Sequence, residues 1–410
     1  MGNLRQRRVL TSVGAKRRKS WLLAASALAP LSLSLGVSES ALARCSGVTT
    51  SRARTACRFL SSGLLATIAL LAASTVSAHA QSNWTGTISN GWFNPLNWSP
   101  FGVPGVATNA NIDTVTPNST EIMGASATAL NLAVGQNGTG RLVIQNGGTM
   151  TNIGGFIGNL PGSQGTVTVS GTWTNVGTLV VGGLGTGTLT IQDGGTVSSG
   201  GGGSIGLAAG STGTVTVTGP GSTWNNSPVS PGGLNIGSFG NGSLTIANGG
   251  TVNNNTAFIA NVGAFPGSTG TVIVTGAGST WSNSSGVIIG NLGTGTLTIA
   301  DGGIVNGPVT IASTAIAGGT LNIGAGAGSA PAAPGTLAAP SVAFGAGTGM
   351  INFNHTSTNY VFAPAISGPG TVNVLAGTTT FTGANTYSGP TSTRVRCAQA
   401  RRTRSAPIRR

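Results

Sequence analysis

The feature that most constrains this chain is a repeat that returns every 22–29 residues. "GTGRLVIQNGGTM" (138–150), "GTGTLTIQDGGTV" (185–197), "GNGSLTIANGGTV" (240–252) and "GTGTLTIADGGIV" (293–305) are one motif written four times. A second alternates with it: "SQGTVTVSGTWTN" (163–175), "STGTVTVTGPGSTWNN" (211–226) and "STGTVIVTGAGSTWSN" (268–283). Both share the form Gly-small-apolar-polar-apolar, and the shared glycine falls at 140, 165, 187, 213, 242, 270 and 295.

Apolar-polar-apolar triplets such as Leu297-Thr298-Ile299 read as half-buried strands of period two. The Gly-Gly and Gly-x-Gly pairs after them supply the positive φ angles of tight turns. A unit of about 25 residues made of short strands cannot bury its own apolar face, whereas copies stacked on one another can. The expected fold is all-β, a parallel β-helix with one repeat per coil. From Gln81 to Thr393 there is room for about 313/26, or roughly 12, coils, a rod on the order of 60 Å long. Helix is disfavoured because glycine, at 70 residues, and threonine dominate.

Trp173, Trp224 and Trp281 share one repeat position and are expected to stack on neighbouring coils. Asn175, Asn226 and Asn283, two residues later, are expected to form a hydrogen-bonded ladder at a corner. A ligand-binding aromatic stripe is the competing reading of the tryptophans.

Net charge locates no partner. Residues 1–80 hold 11 of the 19 basic side chains and residues 394–410 hold seven. The body keeps Arg141 against Asp113, Glu121, Asp193 and Asp301, so its net charge is 1 − 4 = −3. Binding phosphate needs several cations on one face, so no nucleic-acid partner is expected. The three cysteines, Cys45, Cys57 and Cys397, also lie outside the body, which excludes disulfides and thiolate metal sites there.

Two apolar runs open the chain, "WLLAASALAPLSLSL" (21–35) and "FLSSGLLATIALLAA" (59–73). Each follows basic residues and precedes a small-x-small site, the order of a signal peptide. At about 15 residues each, both fall short of the roughly 20 a spanning helix needs. Composition changes directly after the second, which places cleavage between Ala80 and Gln81 and makes residues 1–80 a long leader; an uncleaved anchor is the alternative.

Residues 81–128 include "NWTGTISNGWFNPLNWSPFGVP" (83–104) and are expected to cap the open N-terminal end of the coil, whose backbone groups need cover. The sharper reading of Trp84, Trp92 and Trp98 is a sugar-binding platform. Catalytic chemistry is thin. Asp193 and Asp301 fill a turn position held by Asn146 and Asn248 in sister repeats, which indicates turn geometry. Asp113 and Glu121 have no basic partner nearby, and His355 has no second histidine in the body. Neither an enzyme, a cofactor nor a metal site is expected.

The two repeat motifs resemble those in passenger regions of bacterial autotransporters (type V secretion). "FTGANTYSGPT" (381–391) is similar to the autotransporter-associated β-strand repeat, and "W-T-G…N-W-x-P-x-G-V-P" resembles the start of such passengers. The resemblance spans residues 83–391. It implies repeats over 129–310, further β-helix over 311–391, and export through a C-terminal β-barrel that the outer-membrane machinery inserts. A monomeric β-helix displayed or released at the surface would then act as an adhesin or stalk, toward host or environmental glycans or proteins. A carbohydrate-binding or polysaccharide-degrading β-helix centred on the cluster Trp84, Trp92 and Trp98 with Asp113 and Glu121 is the alternative. Residues 392–410 break the pattern with arginines. They read as a frameshift or truncation ahead of the barrel, which would leave a periplasmic or non-functional product, or as a genuine basic arm.

Overall fold

A computed structural model describes residues 80–100, 102–226, 233–254 and 260–393. The two apolar runs, the three cysteines and the arginine-rich stretch 394–410 lie outside the described residues. The chain divides into Met1–Ala78 and His79–Arg410, and the second unit is a parallel β-solenoid of about 11 turns. Among the described residues helix is confined to the 3-10 turn Pro95–Asn97.

Each turn contributes strands to three sheets of 13, 12 and 9 strands, every sheet growing by one strand per turn. The 12-stranded sheet holds the long Gly-small-apolar-polar-apolar strands. Its register matches the repeat residue for residue: Gly140, Gly165, Gly187, Gly213, Gly242, Gly270 and Gly295 form one parallel ladder. The ladder continues through Gly319 to Gly349, two turns past the recognisable repeats. The last of those steps is 349 − 319 = 30 residues. The longer turn contains the segment 325–335, and such insertions explain why the count falls below the expected 12.

Alternation decides the core. In Thr214–Val217, Val215 and Val217 point inward and are fully buried while Thr214 and Thr216 face out. The same inward pairs, Leu189/Ile191, Leu244/Ile246, Val272/Val274 and Leu297/Ile299, stack into two apolar columns inside the solenoid. Parallel stacking at about 4.8 Å keeps these branched side chains in van der Waals contact along the whole axis.

The tryptophans differ from expectation in one respect. Trp173, Trp224 and Trp281 share a column, but Val197 and Val252 stand between them because the two motifs alternate. All three are fully buried, which corrects the aromatic-stripe reading: no ring face meets solvent. Space for the rings comes from glycine on the 13-stranded sheet. A Cβ on Gly203 would lie 2.8 Å from Trp224 Cζ2, and one on Gly155 would lie 3.0 Å from Trp173 Cζ2.

The asparagine ladder is present at Asn175 and Asn226, with extra rungs, and does not extend to Asn283. Asn152 Nδ2 donates to Asn175 Oδ1 (2.7 Å), Ser199 Oγ to Asn226 Oδ1 (2.8 Å), and Asn226 Nδ2 to Asn254 Oδ1 (2.8 Å). The indoles join it: Trp173 Nε1 donates to Asn152 Oδ1 (2.6 Å) and Trp224 Nε1 to Ser199 Oγ (3.1 Å). In these turns the buried polar groups find partners one turn away, as a dry interior requires, whereas Trp281 Nε1 and both side-chain polar atoms of Asn283 are buried without a hydrogen-bond partner among the described residues.

Candidate functional surface

The acids are occupied by structure. Asp113 Oδ1 accepts from the backbone N–H groups of Gln136, Asn137 (2.9 Å) and Gly138 (3.2 Å), closing the turn of the next coil. Glu121 lies on another sheet, the 12-stranded one, where its carboxylate accepts from Gln145 Nε2 (3.0 Å). Asp193, Asn248 and Asp301 all take positive φ, 53°, 52° and 50°. That left-handed turn suits a short Asn or Asp and explains their interchange. Among the described residues no group of His, Cys, Asp or Glu is arranged to hold a metal ion.

Trp84, Trp92 and Trp98 are together, but as core. Trp84 meets Trp98 edge-on at 5.1 Å between ring centroids, and Trp92 meets Trp98 at 4.7 Å. Trp84 Nε1 donates to Asn118 O and Trp98 Nε1 to Trp92 O, both at 2.8 Å. Trp92 and Trp98 are fully buried and Trp84 nearly so, which corrects the sugar-platform reading: stacking on a sugar needs an open ring face. Buried Asn97, which the sequence did not single out, knits this segment by accepting from Ile88 N and Ser89 N and donating to Gly91 O. Ala80 and Gln81, the expected cleavage pair, are exposed in the first strand, in register with Thr108 and Asn109.

His355 sits in an aromatic cluster that periodicity did not reveal. Phe353 packs edge-on against Phe362 (5.1 Å) and Phe381 (5.2 Å), with the His355 ring 5.0 Å from that of Tyr360. His355 Nε2 lies 2.8 Å from Thr379 Oγ1, and Tyr360 OH donates to Gly335 O (3.0 Å). Burial holds the imidazole below its ordinary value and pushes Tyr360 up to about 12. The unfolded chain, with a histidine near 6.5, therefore takes up a proton that the folded cluster resists. Stability from this site is full above that value and is lost as pH falls through it. Hydrogen exchange at Thr379–Phe381 should be faster at pH 5.5 than at 7.5 after correction for intrinsic rates. His355→Gln should remove the difference, and an unchanged difference in that variant would assign it elsewhere.

From Thr166 onward the 12-stranded sheet, whose first two strands carry Glu121 and Arg141, presents an uncharged outer face. The outward residues of the 12-stranded sheet form columns: a middle one from Thr166 through Thr188, Thr214, Ser243, Thr271 and Thr296 to Thr320, and a parallel one from Thr168 to Thr298 in which Ile273 replaces one threonine. Among the described residues their hydroxyls have no side-chain or backbone partner up to Thr298, which accepts from Asn322 (3.1 Å). The 9-stranded sheet differs, since its outward Asn253 already donates to Asn225 (2.9 Å) and Asn306 to Ser282 (3.2 Å).

No protein-family model matches the chain. Over 248 residues it is 37% identical to the adhesin BmaC autotransporter of Brucella suis biovar 1 (strain 1330), covering 57% of this chain and 7% of that protein. In sequence and in fold the chain resembles an autotransporter passenger. It is also 36% identical over 168 residues to the uncharacterized lipoprotein YdeK of Escherichia coli (strain K12), covering 38% of this chain and 12% of that one. A third relative, the uncharacterized protein YuaQ of the same strain, is 30% identical over 159 residues, 38% of this chain and 11% of YuaQ. The chain therefore spans no more than 12% of the length of these relatives.

Proposed function

We propose that this chain is an exported autotransporter passenger that acts without catalysis, in adhesion or as a structural stalk at the bacterial surface. The observation that carries the reading is the 37% identity over 248 residues to an autotransporter adhesin, in a chain that folds as a parallel β-solenoid. Two further features support it. The carboxylates nearest the tryptophan cluster accept from backbone N–H and amide groups and lie on different elements, so they are not arranged as a facing acid–base pair. The exposed face is long, uncharged and repetitive, which suits contact along its length rather than capture of a small molecule in a pocket.

Export begins with removal of the leader between Ala80 and Gln81, and passage to the surface uses the outer-membrane translocation machinery. Cleavage there leaves the first strand paired from Gln81 onward with Asn109, Ala110 and Asn111. Antibody raised against the solenoid should label intact cells, and cells lacking the gene should attach less well to a surface. Labelling that appears after lysis alone would overturn surface display. Amino-terminal sequencing of the exported protein should begin at Gln81.

A further inference from the structure

We infer that the threonine columns of the 12-stranded sheet form a binding face for ice, a crystalline lattice of water. The first support is spacing. Successive turns keep unbroken register from Thr166 to Thr320, so rows of hydroxyls repeat at the strand separation of about 4.8 Å. Alternate residues within a strand set the columns about 6.7 Å apart. A rectangular grid of that size is close to the oxygen repeat on the prism face of hexagonal ice.

The second support is hydrogen-bonding capacity. The side-chain hydroxyls of Thr166, Thr188, Thr190, Thr214, Thr216 and Thr296 make no hydrogen bond among the described residues, so each is left to donate to and accept from water. Each threonine also holds a methyl group beside its hydroxyl, and apolar groups restrict the orientations of first-shell water. Water held between ordered hydroxyls and methyl groups is pre-arranged before freezing, so that joining it to a crystal costs little additional ordering.

The third support is what the face lacks. Its flanking charges stand at the columns' N-terminal ends, Arg141 one turn before Thr166 and Glu121 two turns before Thr168, and Asp193 and Asp301 occupy turns outside the strands. An ionic mineral would call for charged rows. A crystalline polysaccharide would call for open aromatic faces, and Trp173, Trp224 and Trp281 are fully buried. Past Thr320 the face is closed: Asn354 Nδ2 donates to Gly326 O (2.9 Å) and Ser329 O (3.0 Å) in the 325–335 segment, and Asn322 and Asn352 beside it are buried.

This inference rests on the proposed surface display for its setting, since a displayed solenoid with this face would hold a cell to ice. Binding itself is read on the purified full chain, by ice-crystal shaping and by the gap between melting and freezing points. The protein should facet growing crystals and open a measurable gap. Thr214→Lys, and separately Thr296→Lys, should close most of that gap while circular dichroism stays that of the native protein. Asn253→Lys, on the 9-stranded sheet, should leave it unchanged. Folded protein that neither shapes ice nor opens a gap overturns the inference, as does equal loss in the Asn253→Lys control. Retention on microcrystalline cellulose without ice shaping would assign the face to polysaccharide instead and also overturns it. Surface labelling of intact cells is read separately, so failure of display and failure of ice binding are distinct results.

Discussion

Replacing Trp224 with alanine should destabilise the middle of the solenoid by about 4 kcal/mol, the cost of removing a fully buried aromatic ring from a packed core. The ring is held from three sides. Val197 and Val252 stack on it from the turns before and after, and Gly203 on the facing sheet leaves the room it fills. Its Nε1–H donates to Ser199 Oγ, which itself donates to Asn226, so truncation also disturbs a buried polar chain. Trp224→Phe separates these effects: it keeps most of the packing and should cost about 1–2 kcal/mol, the scale of one unmade buried hydrogen bond. A solenoid transmits stability mainly between neighbouring turns, so the loss should be local. Amide exchange should rise most in strands 212–218, 223–226 and 241–247 and little near Thr139–Ile144. If Trp224→Ala melts like the native chain, the ring does not carry this core. Adding Gly203→Leu to Trp224→Ala should recover part of the loss, because the new side chain enters the vacated space.

That pairing of large with small shows how much was legible in the sequence. The register was, since seven glycines at nearly regular spacing align in one ladder without a shift. The asparagine ladder was legible at Asn175 and Asn226, two residues after Trp173 and Trp224, while Asn283 after Trp281 makes no side-chain bond among the described residues. What repetition cannot show is a contact between residues at different repeat positions. Gly203 and Trp224 are 21 residues apart on different sheets, and nothing in either motif links them. The tryptophans near the N-terminus illustrate another limit: Trp84, Trp92 and Trp98 have the composition of a sugar platform, and whether their faces are open depends on a fold that a non-repeating segment does not announce. Buried Asn322 and Asn352 were hidden for the same reason. Their column is half-buried in earlier turns, and the insertion 325–335 that accompanies their burial breaks the period rather than extending it. The candidate face was in view as sequence throughout, as Thr-x-Thr, but it read as strand propensity because its hydroxyls are free only in three dimensions.

Gly213→Ala should be at least as damaging as the loss of Trp224, although it adds a single methyl group. The shared glycine of the repeat does not serve a turn: it lies within the strand Thr212–Thr218, outside the set of positive-φ residues, and points inward. It marks the place where the strand passes closest to the 13-stranded sheet. A Cβ there would fall on the carbonyl oxygen of Val181 and lie 2.5 Å from Gly206 N and 2.7 Å from Ile205 Cγ2. Two of those three are backbone atoms, and Val181 O already accepts from Gly206 N, so no side-chain rotation relieves the clash. The backbone must move, and moving it parts the hydrogen-bonded corner of two adjacent turns. Overpacking of this kind costs up to roughly 3 kcal/mol, and here it is compounded by the corner bonds it opens, each worth about 1 kcal/mol or more. The equivalent change one residue away, Thr214→Ala, removes an outward side chain and should cost well under 1 kcal/mol, within the range of ordinary surface substitutions. Chemical denaturation of the two variants side by side checks the assignment. Similar midpoints for Gly213→Ala and Thr214→Ala would show that the corner yields easily, and that the repeating glycine answers to something other than the close approach of one sheet to the next.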